Sequence, residues 1–158
     1  MKRDISEFKA LIIATSRELL AISEEASTIS PAPGKWSPRQ VIGHLIDSAC
    51  NNHQRFVRMQ FANDKFFPRY QQDDWVNVQH YQDESWEVLV NLWKYYNLHI
   101  SHVIAATPEN VLHEVITKYT SEQISWIPAE HKEKFTMEYL FTDYVEHMKH
   151  HLKQALKS

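Results

Sequence analysis

Two histidines near the carboxyl end of the chain, His147 and His151, stand four residues apart. Residues at this spacing share one face of an α-helix, so both imidazoles can reach the same metal ion. The spacing alone is equally compatible with two histidines that pack at the edge of a core or bond to carbonyl groups. A third ligand elsewhere in the chain would favour the metal site.

His44 is the candidate for that third ligand. Taking about 100° of rotation per residue, His44 borders the apolar arc of its predicted helix, and His147 and His151 border the arc of theirs. His44 is near the start of one helix and His151 near the end of the other, so an antiparallel pairing brings the three imidazoles to about one level. Three neutral imidazoles suit a divalent transition metal, Zn or Ni first and Fe, Mn or Cu as alternatives. The coordination position that they leave open favours chemistry over a structural role.

Two carboxylates lie close in sequence to these histidines. Asp47 falls about 60° from His44 on the helical wheel and is a candidate catalytic base or hydrogen-bond acceptor, with a solvated acid as the alternative. Asp143 precedes His147 by one turn and could fix the orientation of that imidazole, as outer carboxylates commonly do. An exposed acidic residue is again the alternative interpretation.

Three further side chains are candidates for substrate binding. Arg55 returns to within about 20° of the face of His44, roughly 16 Å along the helix, where it could bind an anionic group. An ion pair with Asp73 and Asp74 of the following connection is an equally good interpretation. Trp75 and Tyr144 could line a substrate pocket, although aromatic residues at such positions more often belong to the core.

Other reactive residues are assigned no role at the site. His53 lies about 180° from His44 on the wheel and cannot share its metal, and His150 is expected to face solvent. His99 lies on the apolar stripe of its helix, so we expect a buried histidine with satisfied hydrogen bonds. Cys50, about 120° from His44, is expected to be a small buried residue.

The elements that must position these residues are predicted to be four helices. Apolar residues recur at helical spacing over residues 5–25, 38–62, 84–106 and 137–156. Ser37, followed by Pro38 and by Gln40, has the pattern of a capping box, and Thr136 is a candidate cap for the last helix. Residues 63–83 lack a sustained helical period, so we expect a long crossover that makes the second and third helices parallel. Residues 111–116 are predicted to form a short turn or strand, and 121–127 an extended piece.

Length and composition are typical of one all-α domain spanning residues 1–158. The 158 residues include only 2 glycines, and the 6 prolines cluster between apolar segments. A net charge of −3, without a basic cluster, indicates neither a nucleic-acid nor a membrane partner. The single cysteine excludes an internal disulfide, and the first residues lack the apolar core of a signal peptide, so we expect a cytoplasmic protein.

The run WSPRQVIGHLIDS at residues 36–48, the pair Arg55-Phe56 and the closing HMKHH at residues 147–151 together resemble the DinB/YfiT-like superfamily of four-helix metalloproteins. The resemblance covers most of the chain. It implies an up-down-down-up bundle with His44, His147 and His151 as metal ligands. Within the superfamily the chain is most similar to the YfiT-like branch, whose members are described as metal-dependent hydrolases and, for relatives, as thiol-dependent S-transferases.

Two enzymatic functions and one binding function fit these residues. The first is hydrolysis by a metal-activated water with Asp47 as the proton acceptor, and the second is transfer of a low-molecular-weight thiol to an electrophile. Hydrolysis ranks first because it requires no second organic substrate. A metal-binding or dimerisation module without turnover is the alternative. We expect a small-molecule substrate and, because symmetric dimers are common, a homodimer.

Overall fold

Four long helices dominate the chain in the computed structural model, which describes residues 2–61, 70–116, 126 and 136–157. Within these described ranges, two shorter helices and two 3-10 turns, Ala26–Thr28 and Tyr81–Asp83, lie between them. No strand is formed within the described ranges. The helices are α1 (Lys2–Leu20), α2 (Pro38–Arg58), α3 (Gln72–Val78), α4 (Trp86–Ala106), α5 (Glu109–Leu112) and α6 (Met137–Ala155).

The two helices that carry the candidate ligands begin at caps that the sequence predicts. The Ser37 backbone N–H donates to Gln40 Oε1 at 3.0 Å, and the Gln40 N–H donates to Ser37 Oγ at 3.3 Å. Thr136 Oγ1 accepts from the Tyr139 N–H at 3.1 Å. Because these bonds satisfy backbone donors that the first helical turn leaves unpaired, they fix where α2 and α6 start. The capping box and the Thr136 cap are confirmed.

Arg39 forms hydrogen bonds near the ends of three helices, and these bonds reveal the relative directions of the helices. Its guanidinium, only 4% exposed, donates to Glu24 Oε1 at 2.6 Å and to the Glu84 carbonyl at 2.6 Å. Glu24 follows the end of α1, Arg39 is in the first turn of α2, and Glu84 lies two residues before the start of α4. The start of α2, the start of α4 and the end of α1 therefore lie together. It follows that α2 and α4 are parallel and that α1 is antiparallel to both.

The last helix completes the bundle in the opposite sense to α2. His147, in the second half of α6, lies against His44, in the first third of α2. The four long helices thus run up, down, down and up, and the long crossover connects the two parallel ones. Both α1 and α2 pack against α4 and α6. The all-α four-helix bundle with a crossover between its second and third helices is confirmed.

The core fills the space between the four helices with large side chains from each. Trp93 of α4, Phe56 of α2, Ile12 of α1 and Met148 of α6 are each 0% exposed. Trp86, at the start of α4, donates its indole N–H to the Leu19 carbonyl at 2.9 Å. This continuous apolar interior holds α2 and α6 in fixed register, as the candidate site requires.

Some helix boundaries differ from those predicted, in regions where the spacing of apolar residues carries little information. α1 ends at Leu20, five residues before the predicted end, and α2 ends at Arg58 rather than at residue 62. The crossover contains α3 and a 3-10 turn, which are too short to produce a sustained period. α5 overlaps only the first two residues of the short turn or strand that was predicted at 111–116. The extended piece predicted at 121–127 lies outside the described residues except for Trp126.

Candidate metal centre

The bundle brings His44, His147 and His151 together. One ring nitrogen from each lies within 4.8 Å of the others, and within the described chain this is the one group of three or more potential ligands that meets that distance. The ring centroids of His44 and His151 are 4.6 Å apart, as are those of His147 and His151. These three residues are hereafter called the central histidine group.

Two of the three nitrogens already stand at a distance suited to one metal ion. The Nε2 atoms of His44 and His147 are 3.2 Å apart. Zinc–nitrogen bonds of about 2.0–2.1 Å in a tetrahedral site separate neighbouring ligand nitrogens by about 3.3 Å. The donor set is made of imidazoles, which zinc, nickel and copper accept. The residues present therefore fit a divalent transition metal.

Burial keeps these imidazoles neutral. His44 is 0% exposed and His147 is 7% exposed. Desolvation, followed by the neighbouring histidines, lowers the pKa of each to about 3. Burial also lowers the pKa of the half-buried His151, while its hydrogen bond with Gln154 acts in the opposite direction. Only a neutral imidazole can coordinate a metal, so the environment selects the protonation state that binding needs.

Oxygen atoms orient two of the rings through Nδ1. Gln154 Oε1 lies 2.9 Å from His151 Nδ1, and Ser48 Oγ lies 3.5 Å from His147 Nδ1. Both contacts leave Nε2 for the centre of the group. His44 Nδ1 is buried without a hydrogen-bond partner among the described residues. Ser48 and Gln154 were not predicted from the sequence, although Ser48 follows His44 by four residues and so shares its helical face.

Two tryptophans flank the histidines. The Trp36 ring lies 5.0 Å from His44 and 6.3 Å from His151, between centroids. The Trp126 ring lies 5.8 Å from His147 and 5.1 Å from His150. The Trp126 backbone N–H donates to Asp143 Oδ2 at 2.7 Å. Trp126 was absent from the sequence prediction because no local pattern connects it to α6.

Asp47 is buried beside the crossover. It is 2% exposed, and its Oδ1 accepts from Tyr81 Oη at 2.7 Å and from Gln79 Nε2 at 2.6 Å. Its Oδ2 is buried with no hydrogen-bond partner in the described part of the chain. Burial raises the pKa of Asp47, and the two hydrogen bonds only partly oppose this effect. Asp47 is therefore a buried carboxyl group with one oxygen available to take a proton, and its alternative as a solvated acid is wrong.

Gly43 makes room for the Tyr81 ring that holds Asp47. A Cβ atom at this position of α2 would overlap the Tyr81 ring atoms Cδ2 and Cγ. The absence of a side chain lets the ring lie directly on the helix backbone. The Tyr81 hydroxyl then reaches Asp47, one turn further along α2.

Arg55 and Asp143 are neighbours in the interior of the bundle. Both are 7% exposed. Burial lowers the pKa of Arg55, whereas the charges of Tyr70 and Asp143 raise it. Asp143 Oδ2 accepts from the Trp126 backbone N–H, and Ser48 Oγ lies beside His147 Nδ1, so the role of Asp143 in orienting that ring stays a prediction. Arg55 also donates to Asn52 Oδ1 at 3.3 Å.

The two aromatic residues predicted to bind substrate have different surroundings. Tyr144 is 2% exposed, packs against Phe8 and Phe56, and donates its hydroxyl to Asn97 Oδ1. Its place in the core agrees with the alternative interpretation that the sequence left open, and a role in substrate binding stays a prediction. Trp75 is half-buried against the Tyr70 ring, at 4.9 Å between centroids.

The predicted positions of the other histidines and of the cysteine are partly correct. His150 is exposed, and His53 lies apart from the central histidine group, as expected. His99 is exposed rather than buried. The apolar stripe from which its burial was inferred includes Leu92, which is itself 47% exposed, so that stripe faces outward. Cys50 is half-buried rather than buried.

Comparison with known proteins identifies the family. The sequence profile of the DinB superfamily matches residues 12–155. The chain belongs to the DinB superfamily. A solved structure, described as YfiT from Bacillus subtilis, a probable metal-dependent hydrolase with an unusual four-helix bundle topology, superposes with a TM-score of 0.75 at 16% identity. The match covers 99% of this chain and 86% of YfiT, and it shows the shared fold.

No curated protein matches the sequence of this DinB-superfamily chain. Among the helices within the described ranges, none combines the length and the apolar composition needed to cross a bilayer.

Proposed function

We propose that this DinB-superfamily chain is a divalent-metal-dependent enzyme of the hydrolase type, with His44, His147 and His151 as the metal ligands. The observation that carries the proposal is the convergence of three neutral imidazole nitrogens in the bundle interior. Three protein ligands leave space for water or substrate, whereas structural zinc sites are closed by four. The description of YfiT as a probable metal-dependent hydrolase supports the same reaction class.

The metal, Zn or Ni first, would supply Lewis acidity that lowers the pKa of water towards neutrality. The chain supplies the rest. Ser48 and Gln154 orient two ligand rings through Nδ1. Trp36 and Trp126 place aromatic rings beside the ligands.

Asp47 is proposed as the proton acceptor. Its buried Oδ2 is unpartnered among the described residues, and burial raises its pKa above the usual value of an aspartate, which makes the carboxylate a stronger base. Tyr81 and Gln79 hold the other oxygen and so fix the orientation of the group. The substrate is proposed to be a small molecule with an electrophilic centre.

Metal content is the first test. The purified protein should hold one equivalent of transition metal by elemental analysis, His44→Ala should lose it, and His150→Ala should retain it as the matched control. Metal that survives His44→Ala would remove the proposed ligand set. Size-exclusion chromatography with light scattering checks the expected homodimer on the same samples.

Activity is the second test and uses an activated ester, 4-nitrophenyl acetate, with and without 2-mercaptoethanol. Metal-dependent release of 4-nitrophenol without thiol supports hydrolysis. Asp47→Asn should keep the metal and lower kcat by about 100-fold, the scale of general-base catalysis. Metal-dependent product formed only with thiol would replace hydrolysis by thiol transfer, and metal binding without turnover of either kind would contradict an enzyme of this type.

A further inference from the structure

A second group of histidines lies outside the site described above, between the parallel helices α2 and α4. His53 of α2 and His99 of α4 have ring centroids 5.1 Å apart with an interplanar angle of 76°. His53 is half-buried and His99 is exposed. These two residues are hereafter called the lateral histidine pair.

The ring geometry of the lateral pair resembles that of two members of the central histidine group. The rings of His44 and His147 are 5.2 Å apart at 78°, almost the same arrangement as His53 and His99. In both places the two rings come from different helices that pack against each other. The centroid separation and the interplanar angle of the interior pair are therefore both reproduced at the surface.

An oxygen also orients the buried member of the lateral pair. Tyr96 Oη lies 3.4 Å from His53 Nδ1, as Ser48 Oγ does at 3.5 Å from His147 Nδ1. This contact leaves His53 Nε2 for an external ligand. Tethering of one ring nitrogen by an oxygen is the usual accompaniment of a histidine that coordinates metal through the other.

We propose that His53 and His99 form a second binding site, for a divalent late transition metal such as Zn2+ or Ni2+, that bridges α2 and α4. Imidazole is a good ligand for these ions, and water completes the coordination. Within the described ranges, no third ligand meets the 4.8 Å distance at this place, so the lateral site binds more weakly than the central one. A metal held there links two helices and stabilises the folded state by mass action.

His102 is the matched control for the lateral pair. It lies on the same exposed side of α4 as His99, but its ring centroid is 6.4 Å from that of His99, and the two rings are stacked at 23°. This separation exceeds every ring separation within the central histidine group. His102→Ala should therefore leave the second site intact.

The test is calorimetric titration of the full-length protein with Zn2+ at pH 8, where imidazoles are mostly neutral. The wild type should bind a second, weaker equivalent. His53→Ala and His99→Ala should each weaken that step at least 10-fold and leave the first step unchanged, whereas His102→Ala should alter neither. NMR with Ni2+ as the second equivalent should broaden the ring signals of His53 and His99 first.

Two outcomes would overturn the inference. One is a single binding step in the wild type that His99→Ala does not change. The other is a second step that disappears in His150→Ala, because the rings of His150 and His151 are also 5.1 Å apart and form the rival pair. This inference is independent of the proposed function. If the central group did not bind metal, the wild type would still show one Zn2+-binding step, and His99→Ala would abolish it.

Discussion

The central histidine group and the lateral histidine pair have nearly the same ring geometry in very different surroundings. His44 and His147 lie 5.2 Å apart in the interior, whereas His53 and His99 lie 5.1 Å apart at the surface. His44 is 0% exposed, and its neighbours lower its pKa further after burial has done so. His99 is exposed to solvent.

The difference shows that ring spacing alone does not define a reactive centre. The central group has a third imidazole and two tryptophan rings beside it, whereas the lateral pair has, among the described residues, a tyrosine hydroxyl beside one of its rings. Desolvation strengthens electrostatic interactions with a bound ion, and exposure to water weakens them. The interior is therefore suited to tight binding and chemistry, and the surface to weak binding.

The largest effect expected within this comparison is loss of a central ligand. His151→Ala should weaken metal binding by the central group at least 1,000-fold, which corresponds to about 4 kcal/mol. The neighbouring His150, exposed and one residue away, is the control, and His150→Ala should change the affinity less than 3-fold. Competition with a chromogenic chelator measures both. Equal losses in the two variants would show that α6 presents a different face to the metal.

The second effect concerns the packing that the interior site requires. Gly43→Ala forces a methyl group into the Tyr81 ring and should cost about 1–3 kcal/mol of unfolding free energy, the usual range for overpacking. Urea denaturation monitored by circular dichroism measures this loss. Tyr81→Leu should relieve part of it in the double variant, because contacting residues couple in a double-mutant cycle. Additive effects would contradict direct contact between the two residues.

Sequence patterns predicted the four long helices and the three histidines that the structure brings together. Ser37 and Thr136 cap the helices within three residues of their partners, and His147 and His151 share a face through the helical repeat alone. His44 could be placed because it lies near the start of α2, as His151 lies near the end of α6. The up-down-down-up order came from the family resemblance and agrees with the position of Arg39.

The parts of the site that the sequence did not predict depend on contacts between distant segments. Ser48 and His147 are 99 residues apart, and Tyr81 and Asp47 are 34 apart. Such contacts follow from how helices pack and leave no periodic signal. The helical wheel placed His44 at the edge of the apolar arc, although His44 is fully buried. A wheel represents a single helix and carries no information on the helices that pack against it. The burial of a side chain depends on the neighbouring helices. His99 shows the opposite error, because it was expected to be buried and is exposed.

A smaller effect should separate orientation of a ligand from ligation itself. Ser48→Ala removes the oxygen beside His147 Nδ1 and should weaken metal binding by about 10-fold, within the range for residues that orient a ligand. Ser101→Ala is the control, because Ser101 is equally buried but bonds to the Leu98 carbonyl in α4. Chelator competition should show no change in affinity for this control. A 1,000-fold loss in Ser48→Ala would instead indicate that the serine is needed to form the site.

The smallest effect is expected at the surface. Tyr96→Phe removes the hydroxyl beside His53 Nδ1 and should weaken the second Zn2+ step by about 3-fold, less than Ser48→Ala weakens the first. The reason is that Tyr96 and His53 are half-buried, so water can replace the lost hydroxyl as a partner of the ring. Titration of Tyr96→Phe beside the wild type at pH 8 measures the difference. A loss as large as that in His53→Ala would mean that the tyrosine oxygen itself takes part in binding, and the lateral site would then resemble the central one in having three ligands.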